Sequence, residues 1–124
     1  MKSNNWNNLL LLGQLSNSPV RVEYSLSDLF LTETEQIIDD VETVVVIMKD
    51  SRKGDVYVGV SQTSPRDHYN KVLGREIAAG RALRAWYDEE IERELWESET
   101  EGTKVVVHGF VPEGVDVSDE LLYG

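Results

Sequence analysis

Apolar residues recur at helical spacing through one long stretch of this chain and at strand spacing on either side of it. Between residues 64 and 96, Tyr69, Val72, Leu73, Ile77, Leu83, Tyr87, Ile91 and Leu95 fall on one broad face when successive residues turn by about 100°. This spacing predicts a single long helix over about residues 65–98. Ser64 suits its N-cap, Pro65 its first position, and Asp67 completes an Ser-x-x-Asp variant of the capping box. Gly74 and Gly80 interrupt the pattern. Each costs about 1 kcal/mol relative to Ala in a helix interior and marks a kink or a close approach by another backbone. Glu76 falls near the middle of the apolar face, so it is either paired or at a break in the helix. Arg75, Arg81, Arg84 and Arg21 are the candidate partners.

Strand patterning flanks that helix. Val44, Val45, Val46 and Ile47 form an unbroken apolar run, which predicts a central strand at 43–48 covered on both faces. Val56, Val58 and Val60 alternate with Tyr57 and Gly59, predicting a strand at 56–61 joined to the first by a hairpin loop at 49–54. Residues 20–24 alternate as a further strand, and Val105, Val106 and Val107 centre another at 103–110. Residues 9–15 fit a short strand or a helical turn. Residues 28–38 fit a short helix capped by Ser27 or, given Thr32 and Thr34, an extended segment. Residues 1–8 are polar and are expected to fray. Residues 112–114 read as a turn. Residues 115–124 form an acidic tail that docks through Val117, Leu121, Leu122 and Tyr123 or stays loose. The expected fold class is α+β, in a single domain spanning 1–124. It holds a small antiparallel or mixed sheet with a central β-hairpin, packed against one long helix.

Charge changes this picture in two places. The chain of 124 residues carries a formal net charge of −11, which disfavours nonspecific binding to nucleic acid or to anionic membranes. Within the predicted helix, residues 66–84 hold five basic residues against two acidic ones, and residues 88–101 hold eight acidic residues against Arg93 alone. Acidic charge at a helix C-terminus opposes the helix dipole, so a partner is one reason for its presence; a solvated charged face is the other. Glu33, Glu35, Asp39, Asp40 and Glu42 form a second acidic cluster. Two sources of this acidity compete, a salt-rich cytoplasm and a basic partner. The chain has no cysteine, which fits a reducing compartment. It has no signal peptide and no apolar run of the roughly 20 residues a membrane crossing needs, so a cytoplasmic protein is expected.

Motifs of catalysis are missing. His68 and His108 are the two histidines and do not share a metal-ligand spacing. Neither a nucleophile elbow, nor a Walker A loop, nor a dinucleotide fingerprint occurs. The chain is expected not to be an enzyme and to hold neither cofactor nor metal. The constellation that remains is basic: Gly74-Arg75 and Gly80-Arg81 repeat a Gly-Arg pair six residues apart. Arginine forks suit phosphate or carboxylate, and the same arginines equally suit internal pairing with Glu76 and the acidic end of the helix.

The hairpin followed by SPRDHYNKVLGREIAAGRAL, residues 43–84 in all, resembles small uncharacterised proteins of phages and archaeal viruses, in which a β-hairpin leads into a helix with spaced Gly-Arg pairs. The charge balance is similar to that of small acidic viral inhibitors that mimic nucleic acid. With the acidic surface and the missing catalytic motifs, these likenesses lead to the expectation of a non-enzymatic viral or mobile-element-type protein, an inhibitor of the anti-defence type in a host cytoplasm. Its partner would be a host protein with a basic surface, met by Asp88, Glu89, Glu92 and Glu99 with help from the cluster at 33–42. The alternative is a nucleic-acid or nucleotide-binding module using Arg66, Lys71, Arg75, Arg81 and Arg84. Direct nucleic-acid binding is the less expected of the two.

Overall fold

The structure, a computed structural model, describes residues 7–16, 19–50, 55–63, 68, 70–87, 95–100 and 103–117. In chain order the elements are α1 (Asn8–Leu15), β1 (Arg21–Leu31), β2 (Gln36–Asp50), β3 (Asp55–Gln62), α2 (Lys71–Tyr87), β4 (Leu95–Thr100) and β5 (Thr103–His108). The strands form one mixed sheet in the order β1-β2-β3-β5-β4. β2 and β3 pair antiparallel from Thr43↔Gln62 to Asp50↔Asp55, so the predicted hairpin lies at the heart of the sheet. β3 and β5 run parallel, and the chain crosses between them through α2. The class is α+β.

At β2 and β3 both faces of the sheet are covered, and this accounts for the unbroken apolar run. Val44, Val46 and Met48 of β2 join Tyr57 of β3 under the helices, with Leu12 of α1 and Ala78, Ala79, Ala82, Leu83 and Ala85 of α2. Val45 and Ile47 turn the other way. They join Val56, Val58, Val60, Val107 and Val115, flanked by Val111 and Val117. The segment after β5 therefore closes the second face, and the predicted tail begins as part of the core.

The face that α2 buries differs from the one its large residues predict. Val72, Leu73, Ile77 and Tyr87 are exposed, while Gly74, Ala78, Ala79, Ala82 and Ala85 are buried with Leu83 and Glu76. The cause is the depth of contact with β3. A Cβ at Gly59 would stand 1.8 Å from the Ala78 carbonyl oxygen and 2.4 Å from the Ala82 nitrogen. Helix backbone and strand backbone touch there, so only small residues fit between them.

The predicted helix over 65–98 is also cut at both ends. Asn70 caps α2, its side-chain oxygen accepting from the Leu73 N–H at 3.0 Å and its carbonyl accepting from the Gly74 N–H at 2.8 Å. His68 is not helical, and the predicted cap at Ser64, Pro65 and Asp67 lies outside the described residues. Beyond Tyr87, Leu95–Thr100 is a strand paired antiparallel to β5, with Glu99 opposite Lys104. A period of 3.6 therefore held only to the end of α2. Leu95-Trp-Glu-Ser-Glu-Thr100 has only two apolar residues, side by side, too few to fix either period, and pairing with Val105, Val106 and Val107 decides for the strand.

α1 forms where a strand or a helical turn was expected, and its start is organised by α2. Its own N-cap position, Asn7, makes no side-chain cap bond. The carboxylate of Glu76 replaces it, accepting from the N–H groups of Asn8 at 2.8 Å and Leu9 at 3.3 Å. The Asn8 side chain answers by donating to the Glu76 carbonyl at 3.0 Å. Gly80 leaves the room for this, since a Cβ there would stand 2.7 Å from Asn8 Nδ2. Asn8 is thus fixed rather than frayed, and Glu76 pairs with a helix N-terminus rather than with an arginine.

Residues 28–38, open to two readings, are extended. β1 and β2 pair through Leu31↔Gln36, with Thr32–Glu35 as the connecting turn. The register slips between Ser27↔Val41 and Leu29↔Ile38, where Asp39 and Asp40 face Asp28 alone. Asp40 takes φ 55° at this bulge, a left-handed conformation that Asp tolerates better than most residues. A side-chain knot secures the site: Ser27 and Thr43 share a short hydroxyl contact, and the Gln62 side chain donates to Ser27 Oγ at 2.9 Å and to the Asp28 carbonyl at 2.7 Å.

Candidate functional site

The acidic surface that can be placed is on the β1–β2 ribbon. Between Arg21 and Lys49 the chain holds seven carboxylates, on Glu23, Asp28, Glu33, Glu35, Asp39, Asp40 and Glu42, and no basic residue. Glu33, Glu35, Asp39, Asp40 and Glu42 are exposed. The pairing of β2 with β3 begins at Thr43, so Gln36–Glu42 pairs with β1 alone and this end of the sheet is two strands wide. Leu26 and Ile37 are exposed on the same ribbon, at 57% and 56%. The turn at Gly114 packs behind it. Its φ is +93°, and a Cβ there would meet the Phe30 ring at 2.6 Å. Exposed carboxylates thus share with two exposed apolar side chains a ribbon braced from one side.

The acidic block predicted on the helix does not lie whole on one helix. Its premise, that Asp88, Glu92 and Glu99 lie along one side of one helix, fails because Glu99 belongs to β4. Asp88, Glu89 and Glu92 lie outside the described residues, as does Arg66.

The four remaining cations of α2 do not line up either. Lys71 places its ammonium 4.3 Å from the centre of the Tyr24 ring, on the β1 side. Arg75 is half-buried, and its Nε is buried without a hydrogen-bond partner. Arg81 and Arg84 turn instead toward β3 and the chain after β5. A continuous basic strip along the helix is therefore not formed by these side chains.

Arg81 and Arg84 line a cavity of about 310 Å³ with Val58, Val60, Ala85, Gly109, Phe110 and Pro112. Its origin is the short pairing of β3 with β5, which is in register only at Val56↔Val107 and Tyr57↔His108. Gly109 takes φ +124° and turns the chain away, within 2.3 Å of the Val58 carbonyl by the position of its missing Cβ. Among the described residues no strand follows β3 on that side beyond this point. Arg81 Nη1 fills the place of a strand donor, bonding to the Val60 carbonyl at 2.6 Å. On its other side Arg81 also borders a cavity of about 380 Å³ formed by Ser61, Gln62, Thr63, His68, Asn70, Leu73, Gly74 and Ile77.

His108 stacks on Tyr57, ring centres 4.8 Å apart and 15° from parallel, with Nε2 3.0 Å from Asp55 Oδ2. It is thus a packed side chain of the β3–β5 seam. Among the described residues no group of three His, Asp or Glu side chains is arranged to hold a metal ion, and no helix is long and apolar enough to cross a membrane. Neither a protein-family model, nor a curated protein, nor a solved structure matches the chain.

Proposed function

We propose that this is a non-enzymatic interaction protein whose binding face is the acidic β1–β2 ribbon, and that its partner is a protein with a basic surface of the kind that otherwise holds nucleic acid. The observation that carries this reading is the run of seven carboxylates without one basic residue between Arg21 and Lys49, five of them exposed on a ribbon two strands wide. Leu26 and Ile37 supply apolar contact area among the charges, which an interface needs at its centre. Like charges at this density oppose folding, so their concentration on one element has a cost that binding offsets. The charges steer association and make it depend on salt. A viral or mobile-element inhibitor of a host protein fits this mode of action. Binding to nucleic acid itself is disfavoured by the net charge of −11 and by the dispersal of the α2 cations.

The test compares three tagged proteins in pull-downs from nuclease-treated host lysate at low and high salt. One is the natural chain. The second carries Glu33→Gln, Glu35→Gln, Asp39→Asn and Asp40→Asn. The third carries Asp88→Asn, Glu89→Gln, Glu92→Gln and Glu99→Gln. Loss of a salt-sensitive partner in the second protein, with a melting temperature equal to or above that of the natural chain, is expected. Full retention there with loss in the third returns the binding face to residues 88–99, and retention in both removes the acidic-surface reading.

A further inference from the structure

We propose that the cavity between α2 and residues 109–112 binds a small organic anion, with an aromatic or branched apolar body and a single carboxylate or phosphate group. This inference is independent of the acidic ribbon. Its volume of about 310 Å³ lies at the lower end of the roughly 300–1,000 Å³ of small-ligand sites. Val58, Val60, Ala85, Phe110 and Pro112 give it an apolar lining. Phe110 is 56% exposed and lines the cavity, so its ring is open to a stacking partner. The helix wall carries Arg81 and Arg84. One apolar slot with positive charge on one wall selects a ligand whose charge is at one end.

Arg81 is the residue that makes this a site rather than a gap. Its bond from Nη1 to the Val60 carbonyl at 2.6 Å holds the guanidinium against the open edge of β3. A guanidinium has five N–H donors in a rigid fork, and a fork fixed through one of them presents the rest without further ordering cost. The neighbouring polar cavity is the weaker candidate because three of its polar side chains are already engaged. Ser61 Oγ donates to the Gly74 carbonyl at 2.8 Å, Asn70 caps α2, and the Gln62 amide is held by Ser27 and Asp28. A polyanion is not the occupant. The chain repels it at long range, and Lys71 and Arg75 lie away from this wall.

Phenyl phosphate is the probe, with inorganic phosphate and phenol as its two halves, each titrated into the full-length isotope-labelled protein and followed by amide chemical shifts. Phenyl phosphate is expected to shift the amides of Val60, Ala85, Gly109 and Phe110 together and saturably, with at least tenfold tighter binding than either half. Arg81→Gln, which keeps a donor for Val60 and removes the charge, is expected to weaken it at least tenfold while amide dispersion is retained. Phe110→Ala changes an exposed side chain, so it keeps the test alive if Arg81→Gln fails to fold; at least threefold weaker binding is expected. The proposal is overturned if no saturable shift occurs, if the shifts map elsewhere, if inorganic phosphate alone binds as tightly, or if a folded Arg81→Gln or Phe110→Ala protein binds unchanged.

Discussion

Glu76 shows how much one side chain decides here. It is 5% exposed, and its carboxylate provides the N-terminal cap that α1 does not make for itself. Glu76→Ala leaves the Asn8 and Leu9 N–H groups without an acceptor and is expected to destabilise the protein by about 2–3 kcal/mol. Glu76→Gln keeps one acceptor oxygen and is expected to cost about 1 kcal/mol. Urea denaturation measures both, and equal costs would mean that the charge rather than the bond matters. Gly59 is the second such residue. Because a Cβ there would meet helix backbone at 1.8 Å, Gly59→Ala is expected to cost about 3 kcal/mol or more, and a thermal melt close to that of the natural protein would contradict the close contact of β3 with α2.

At the scale of elements, α2 inverts the usual relation between residue size and burial. Its small residues face the sheet and several of its large ones face outward. Ala82→Leu is therefore expected to lower stability by about 2 kcal/mol through overpacking. Leu73→Gln and Ile77→Gln, which the helical pattern alone would make severe, are expected to stay within about 0.5 kcal/mol. Denaturation midpoints of the three variants decide between the two faces. The β1–β2 ribbon has its own logic. Two strands alone are marginal, and this pair is secured by the Ser27–Thr43–Gln62 knot on one side and by Gly114 behind Phe30 on the other.

Across the whole molecule the excess of negative charge acts against the fold. With a net charge of −11 and seven carboxylates on one ribbon, self-repulsion is partly screened as salt is added. Raising ionic strength from low to physiological values is expected to increase stability on the order of 1 kcal/mol, a rise in Tm of about 4 °C. Calorimetry in sodium chloride measures it, and a flat or falling Tm would show that the carboxylates are already compensated. The same salt is expected to weaken partner binding, so stability and affinity should move in opposite directions.

The sequence by itself determined the elements whose pattern is local. Val44 to Ile47, alternating Val56, Val58 and Val60, and Val105 to Val107 read as strands because apolar runs bounded by polar loops have few other solutions. Their hairpin partnership followed from adjacency. Glu76 was legible as a residue either paired or at a helix break, and the glycines of α2 as points of a kink or of close approach, without a choice between the two. What met Glu76 was not legible, because the N-terminus of α1 is 67 to 68 residues away in sequence and backbone donors carry no signature in composition. The buried face of α2 was misread for a related reason: hydrophobicity ranks Leu73 and Ile77 above Ala78 and Ala82, but the depth of contact set by Gly59 on another element ranks them by size. Residues 95–100 hold two adjacent apolar residues and then four polar ones, which fix no period, and only the presence of β5 beside them chose the strand. The candidate ligand cavity was the least legible feature, since it exists where β5 stops pairing with β3, and the end of a pairing is a property of two strands together rather than of either sequence.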